Sequence, residues 1–270
     1  MISFPNCKVN LGLNITSKRS DGFHNIETIF IPVALCDALE ILPSVNKEVH
    51  MRIEGMQEPP SFDNNLCIKA YSLLRAEYQL PPVDFFLLKK IPSGSGLGGG
   101  SADAAFTLVI LNKIFELNIS QQALKSYAAK LGSDCAFFID NTTAFATGRG
   151  DELSSLSTGL EGTYITLVNA GIHINTAAAY ANCKPCMPTI RLNEIIQLPK
   201  EEWPHLIKND FEDYAFNAFP MLAELKQMLY DCGAWFALMS GSGSTLYALS
   251  HKPLAIPDKY KPYLIYAGVI

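Results

Sequence analysis

The sequence predicts an α+β fold in two lobes, and three observations carry that expectation. Strand-like and helix-like segments follow one another without the regular strand–helix–strand alternation of a doubly wound sheet. The chain has 270 residues, 49% of them apolar, enough for two lobes around a cleft. Five glycines fall within residues 94–100, between an apolar strand and a helix that is apolar nearly all round. A flexible linker would not sit in that setting.

The elements follow in order. Residues 8–15 alternate polar and apolar side chains and read as a strand. Residues 17–22 form a polar turn, and 26–33 and 37–42 are the next strands. A helix is expected over 64–78, with Leu66, Ala70, Leu73 and Leu74 on one face. Residues 83–89 form a strand that feeds the glycine run, and 101–115 a helix apolar enough to be buried. Ser120 is placed to cap a helix reaching residue 131. Residues 132–135 break the chain, 136–139 are a short apolar run, and 143–147 a strand ending in the turn 148–150. The Ser/Thr/Gly-rich stretch 154–162 marks a boundary, giving domains of 1–153 and 154–270. The second begins at 164–169. A helix follows over 216–230, then an apolar run at 235–238, a second glycine turn at 240–244, and a strand at 245–250. No long repeat is present.

Composition narrows the function. A net charge of −5 argues against nucleic acid as a partner. The first eight residues carry no basic stretch followed by an apolar run, and the apolar segment 104–111 is too short to span a bilayer. A cytoplasmic protein is expected. Seven scattered cysteines suit reduced thiols. The one Cys-x-x-Cys, Cys183 and Cys186, lacks the further ligands a zinc site needs and reads as structural.

The glycine run is the chemical centre of the sequence: Pro92, Ser93, Gly94, Ser95, Gly96, Leu97, Gly98, Gly99, Gly100, Ser101, Ala102. Residues without Cβ let the backbone approach an anion and adopt positive φ. The helix that follows aims unpaired N–H groups and a partial positive charge back at the loop, which makes a phosphate cradle. No Gly-Lys-Ser/Thr ends it, so it is not the Walker loop. The ribose-binding acid of a Rossmann turn is also missing about 20 residues on. Ser101 is placed to cap the helix and donate to a phosphate. Lys89 and Lys90 precede the loop; one of the two is expected near the nucleotide, and Lys89 is taken with the nucleotide-side residues.

Five segments then fall into a pattern: Pro5-Asn6-Cys7-Lys8-Val9-Asn10-Leu11, Arg19-Ser20-Asp21-Gly22-Phe23-His24, Gly96-Leu97-Gly98-Gly99-Gly100-Ser101, Leu131-Gly132-Ser133-Asp134, and Met239-Ser240-Gly241-Ser242-Gly243-Ser244. In order and spacing, across nearly the whole chain, they resemble the GHMP kinases, the superfamily of galactokinase, homoserine kinase and the mevalonate kinases. The Asp-Gly-Phe-His segment is similar to the branch whose acceptor is 4-diphosphocytidyl-2-C-methyl-D-erythritol. The resemblance implies a two-lobed fold, with an amino-terminal lobe like ribosomal protein S5 domain 2 and a ferredoxin-like carboxy-terminal lobe. It implies ATP-dependent phosphorylation of the 2-hydroxyl of that alcohol, in the non-mevalonate route to isoprenoid precursors, with ATP and magnesium as cofactors.

The resemblance also assigns residues. Asp134 is the base and Lys8 its cationic neighbour, bridging toward the transferred phosphate. Asn65 and Leu66, in an Asp-Asn-Asn-Leu at a helix start, join the glycine loop on the nucleotide side. Cytosine lies against His24 and between aromatic rings, Phe23 and Tyr180, with Asn10 and Thr176 as polar contacts. Phe23 stands where that branch usually has tyrosine, and Tyr180 where it often has phenylalanine. The turn 240–244 supports the phosphate loop. These roles suit the chemistry, because a loose phosphoryl-transfer transition state leaves placement and electrostatics as the protein's main work.

Overall fold

A computed structural model describes residues 1–55 and 62–270. In chain order its strands are β1 (Ile2–Ser3), β2 (Asn6–Lys18), β3 (His24–Cys36), β4 (Ala38–Pro43), β5 (His50–Gly55), β6 (Val83–Lys89), β7 (Ala144–Thr147), β8 (Glu152–Ser155), β9 (Tyr164–Val168), β10 (Phe236–Met239), β11 (Leu246–Ser250) and β12 (Leu264–Val269). Its α-helices are α1 (Leu66–Tyr78), α2 (Gly99–Ile114), α3 (Gln121–Leu131), α4 (Phe137–Asp140), α5 (Thr176–Ala181), α6 (Leu192–Ile195), α7 (Trp203–Leu206), α8 (Glu212–Ala218) and α9 (Pro220–Asp231). The chain forms two compact units: residues 1–7, 35–93 and 98–142 make one, and 8–34, 94–97 and 143–270 the other. Most of β2 and β3 thus clusters with the carboxy-terminal part of the chain.

The first unit carries a sheet in the order β1-β4-β6-β5, antiparallel except for the β5–β6 pair. Strand β6 alternates as a half-buried strand should: Val83, Phe85 and Leu87 point inward, while Phe86 and Leu88 are exposed. Helix α1 begins at Asn65, whose side chain accepts the Cys67 N–H, and it buries Cys67, Ile68, Ala70, Tyr71 and Leu74. Leu66 and Leu73, expected on that face, are half-buried. Helix α2 is buried along most of its length, and α1, α3 and α4 all pack on it. Its alanines at 102, 104 and 105 let neighbours come close. Ser120 caps α3 by accepting the Ala123 N–H, as expected.

The second unit holds two sheets, β2-β3-β7-β8 and β10-β11-β9-β12. Strand β2 is buried from Cys7 to Ile15, its polar residues included. Helix α9 lays Leu222, Leu225, Met228 and Leu229 into a core with Val168, Met239, Leu246 and Ala248. Each buried leucine there contributes about 1.5–3 kcal/mol relative to an exposed one.

Several elements differ from expectation. Helix α2 begins at Gly99 with Gly98 as its N-cap, so Ser101 lies inside the first turn and does not cap it. The helix read over 216–230 is two helices, α8 and α9, broken at Phe219. Pro220 removes an N–H and pushes the preceding residue out of the helical region, and Phe219 sits at φ −137°, ψ 80°. Pro220 itself then opens α9, where its missing N–H costs nothing. The expected connection from residue 154 begins inside strand β8, which pairs with β7. Among the described residues no helix is long and apolar enough to cross a membrane.

Candidate active site

Lys8 lies on β2 and is only 3% exposed. Its Nζ donates to Asn10 Oδ1 at 2.5 Å and to the Gly96 carbonyl at 3.1 Å, and sits 5.0 Å from the centre of the Phe30 ring. Its backbone N–H donates to the Leu97 carbonyl at 3.0 Å. A buried ammonium is therefore fastened to the backbone of the glycine run. Burial of an ammonium is tolerated only where oxygens replace its water.

The turn 240–244 fastens the same segment. Ser240 Oγ donates to the Gly96 carbonyl at 2.9 Å and accepts the Asn10 N–H at 3.2 Å. The Thr245 N–H donates to the Ser95 carbonyl at 3.1 Å. Gly96 holds φ +81°, and a Cβ there would lie 1.9 Å from the Ser240 carbonyl oxygen. Only glycine fits such an approach. The expected support of the loop by the second glycine turn is thus built from named hydrogen bonds.

Asn10 lies beside Lys8 on β2. It is 2% exposed, its Oδ1 accepts Lys8 Nζ, and its Nδ2 donates to Thr28 Oγ1 at 2.9 Å. Thr28 in turn donates to the Gly12 carbonyl. Both ends of the amide are engaged within the protein.

In the first unit the glycine run enters α2. Gly98 takes φ 73° at the N-cap, and the first turn offers the N–H groups of Gly99, Gly100 and Ser101. Leu97 and Ala102 are fully buried, so only their backbone can serve a phosphate. Gly94 and Ser93 are exposed, and Pro92 is half-buried. Leu66 Cδ1 lies 3.6 Å from where a Gly100 Cβ would be, which places Leu66 beside the helix start. Asn65 is largely buried and spends its side chain on capping α1.

Asp134 is half-buried in the turn joining α3 to α4. The next residue, Cys135, is buried, and its thiol shares a hydrogen bond with Ser101. Burial pushes that thiol up to about 12, the Ser101 bond pulls against it, and the Asp134 charge adds to it. Within this unit, then, the turn that carries Asp134 and the first turn of α2 are in contact.

Lys89 departs from expectation. It is 2% exposed, and its Nζ bonds Asp37 Oδ2 at 2.5 Å and Asp103 Oδ2 at 2.6 Å. Burial works against its charge, but Asp103 and Asp37 more than offset this and hold its proton above the ordinary lysine range. The Lys89 ammonium is thus held between two buried carboxylates of its own unit. Neither acid was singled out from the sequence. Asp103 left a signal, being the one charged residue in the largely apolar stretch 101–111. A carboxylate buried there needs a cation.

The acceptor-side residues gather in the second unit. His24 and Tyr180 stack face to face, ring centres 4.8 Å apart and planes 12° apart. Tyr180 is braced edge-on by Phe211 at 4.9 Å. Phe23 is 54% exposed, and the Arg149 guanidinium lies 5.1 Å from its ring centre. Thr176 Oγ1 is 3.0 Å from Ser242 Oγ, which joins it to the second glycine turn. At 4.8 Å the His24–Tyr180 stack admits no base between those two rings. Cys183 donates to the Asp210 carbonyl at 3.3 Å, and Cys186 is exposed; none of the seven cysteines is in a disulfide.

Comparison with known proteins extends this picture. Residues 65–149 match the family model for the GHMP kinase N-terminal domain, and 191–261 that for the C-terminal domain. A protein of Bacteroides thetaiotaomicron described as 4-diphosphocytidyl-2-C-methyl-D-erythritol kinase is 47% identical over 260 residues, 96% of this chain and 95% of that one. A crystal structure of 4-(cytidine 5'-diphospho)-2C-methyl-D-erythritol kinase superposes with a TM-score of 0.79 at 32% identity, covering 94% of this chain and 91% of that one. Mevalonate kinase of Methanococcus jannaschii shares the fold, with a TM-score of 0.69 at 12% identity over 97% of this chain and 92% of that one.

Proposed function

This chain belongs to the GHMP kinases, in their 4-diphosphocytidyl-2-C-methyl-D-erythritol kinase family, and from that premise we propose the reaction it performs and the residues that perform it. The chain transfers the γ-phosphoryl group of ATP to the 2-hydroxyl of 4-diphosphocytidyl-2-C-methyl-D-erythritol. The new bond joins that oxygen to phosphorus, the bond to the β–γ bridging oxygen breaks, and ADP leaves. The reaction belongs to the non-mevalonate route to isoprenoid precursors.

The residue roles are our reading. Backbone N–H groups of the glycine run and of the first turn of α2 hold the triphosphate. Lys8, kept in place by Asn10 and by the Gly96 carbonyl, neutralises charge on the transferred group. Asp134 accepts the hydroxyl proton as the oxygen–phosphorus bond forms. Leu66 flanks the nucleotide from α1. Cytosine stacks on the exposed Phe23 ring, with His24, Tyr180 and Thr176 beside it.

One observation carries this best: a buried lysine bonded to the glycine loop's own carbonyl. Among the described residues no three His, Cys, Asp or Glu side chains cluster to hold a metal. Magnesium, where bound, would neutralise charge on the triphosphate of ATP.

Two functional domains, 1–153 and 154–270, remain our division, supported by the two family-model spans. We read the chain as a cytoplasmic monomer or weak homodimer, free of nucleic acid and membrane; the net charge of −5 supports the exclusion of nucleic acid. The test is Asp134→Ala. It should lower kcat on the order of a hundredfold or more while leaving the Kd for ATP within about twofold. Turnover at the wild-type rate would remove Asp134 from the role of base.

A further inference from the structure

The buried group that the reaction leaves unused is the Asp37–Lys89–Asp103 cluster. Asp37 stands just after β3, Lys89 ends β6, and Asp103 lies in the first turns of α2. Side-chain exposure is 0% for Asp37, 1% for Lys89 and 3% for Asp103.

Its hydrogen bonds meet the chain at both stems of the glycine run. At the entry stem, Asp37 Oδ1 accepts the Lys90 N–H at 2.6 Å and the Ile91 N–H at 2.9 Å. These are the residues at which the chain leaves β6 for the loop. At the exit stem, Asp103 Oδ2 takes Lys89 Nζ at 2.6 Å, five residues after the N-cap of α2. The stems also touch directly. A Cβ on Gly99 would lie 2.8 Å from Ile91 Cγ2 and 3.5 Å from Lys89 Nζ, so the exit stem runs hard against the entry stem.

We propose that Asp37, Lys89 and Asp103 are positioning residues for the ATP phosphates, fixing the separation and direction of the two stems so that the loop keeps its anion-binding shape before nucleotide arrives. None of them touches ATP; they act through the backbone of residues 90–91 and through the start of α2. The physical reason is preorganisation: N–H groups that already point at the phosphate oxygens need no ordering on binding. Asp37 is the pivot, because one carboxylate serves two backbone N–H groups and the ammonium at once. This rests on the reading of the glycine run as the ATP site.

The test is a graded series at Asp37 and Asp103, each replaced by Ala and by Asn, assayed with ATP and with the cytidine alcohol. Wild-type turnover with that pair checks the ATP-site reading, separately from the series. Asp37→Ala and Asp103→Ala should raise the KM for ATP about tenfold, with the KM for the alcohol within about twofold. The Asn variants keep an oxygen acceptor and should recover most of the loss, to about threefold. In each variant, amide exchange of residues 90–101 should quicken while the α9 core stays protected. Should an Ala variant fail to fold, its Asn counterpart decides. A rise confined to the KM for ATP upholds the positioning role. An unchanged KM for ATP, or an equal rise for both substrates, overturns it.

Discussion

Lys8 and Asn10 show what single residues in this chain achieve and how far they could be read in advance. The alternation on β2 marks a strand, and ordinary experience puts its polar side chains in water. Here they are as buried as their apolar neighbours, because β2 lies inside the protein and its polar residues bond one another and the glycine run. Residue types at 8 and 10 were legible; the partnership between them was not, since it depends on the segment at Gly96 and on Ser240. Asn10→Ala should therefore act through Lys8, lowering kcat about tenfold with the KM for the alcohol within about twofold. A rise in that KM with kcat unchanged would return Asn10 to the acceptor. His24→Ala should raise the KM for the alcohol about tenfold and leave the KM for ATP within about twofold, since it removes one ring of a stack. Equal changes in both would place His24 outside the acceptor pocket.

At the scale of elements, periodicity and capping were informative. Helix α3 starts where Ser120 allows it, and β6 keeps its alternation to the last residue. The failures have identifiable physical sources. The apolar run of 216–230 concealed a break that Pro220 should have announced. Strands β5 and β12 are made by pairing with β6 and β9, a distant event that local pattern does not report. Lys89 ends a strand, a position usually solvated, yet α2 brings Asp103 onto it. That cluster has a pH signature. Burial opposes the Lys89 charge, but Asp103 and Asp37 outweigh it, so the folded chain holds the proton more tightly than the unfolded one. The resulting stability is fully present below the unfolded lysine value, about 10.4, and is lost as pH rises through the folded value. The gap in thermal unfolding midpoint between wild type and Asp103→Asn should stay constant from about pH 6 to about 10 and narrow above that. A gap that closes between about pH 7 and 9 would contradict the assignment.

For the whole molecule, the glycine run, the Asp-Gly-Phe-His segment and the Gly-Ser-Asp turn carried the superfamily and its branch, because chemistry fixes those residue types at those spacings. The way the chain gathers into compact units was not legible, since β2 and β3 cluster with residues more than a hundred positions later. A shared fold does not fix the acceptor: mevalonate kinase has the same architecture at 12% identity. The acceptor therefore has to be read from turnover. The purified chain, given ATP and magnesium, should be assayed in parallel on 4-diphosphocytidyl-2-C-methyl-D-erythritol, homoserine and mevalonate, with the position of phosphorylation read by phosphorus NMR. The cytidine alcohol should be phosphorylated on its 2-hydroxyl, with kcat/KM at least about a thousandfold above either alternative, as expected where a site's buried polar groups match one acceptor. Comparable turnover of homoserine or mevalonate, or ADP release without a phosphate on the 2-hydroxyl, would contradict the assignment.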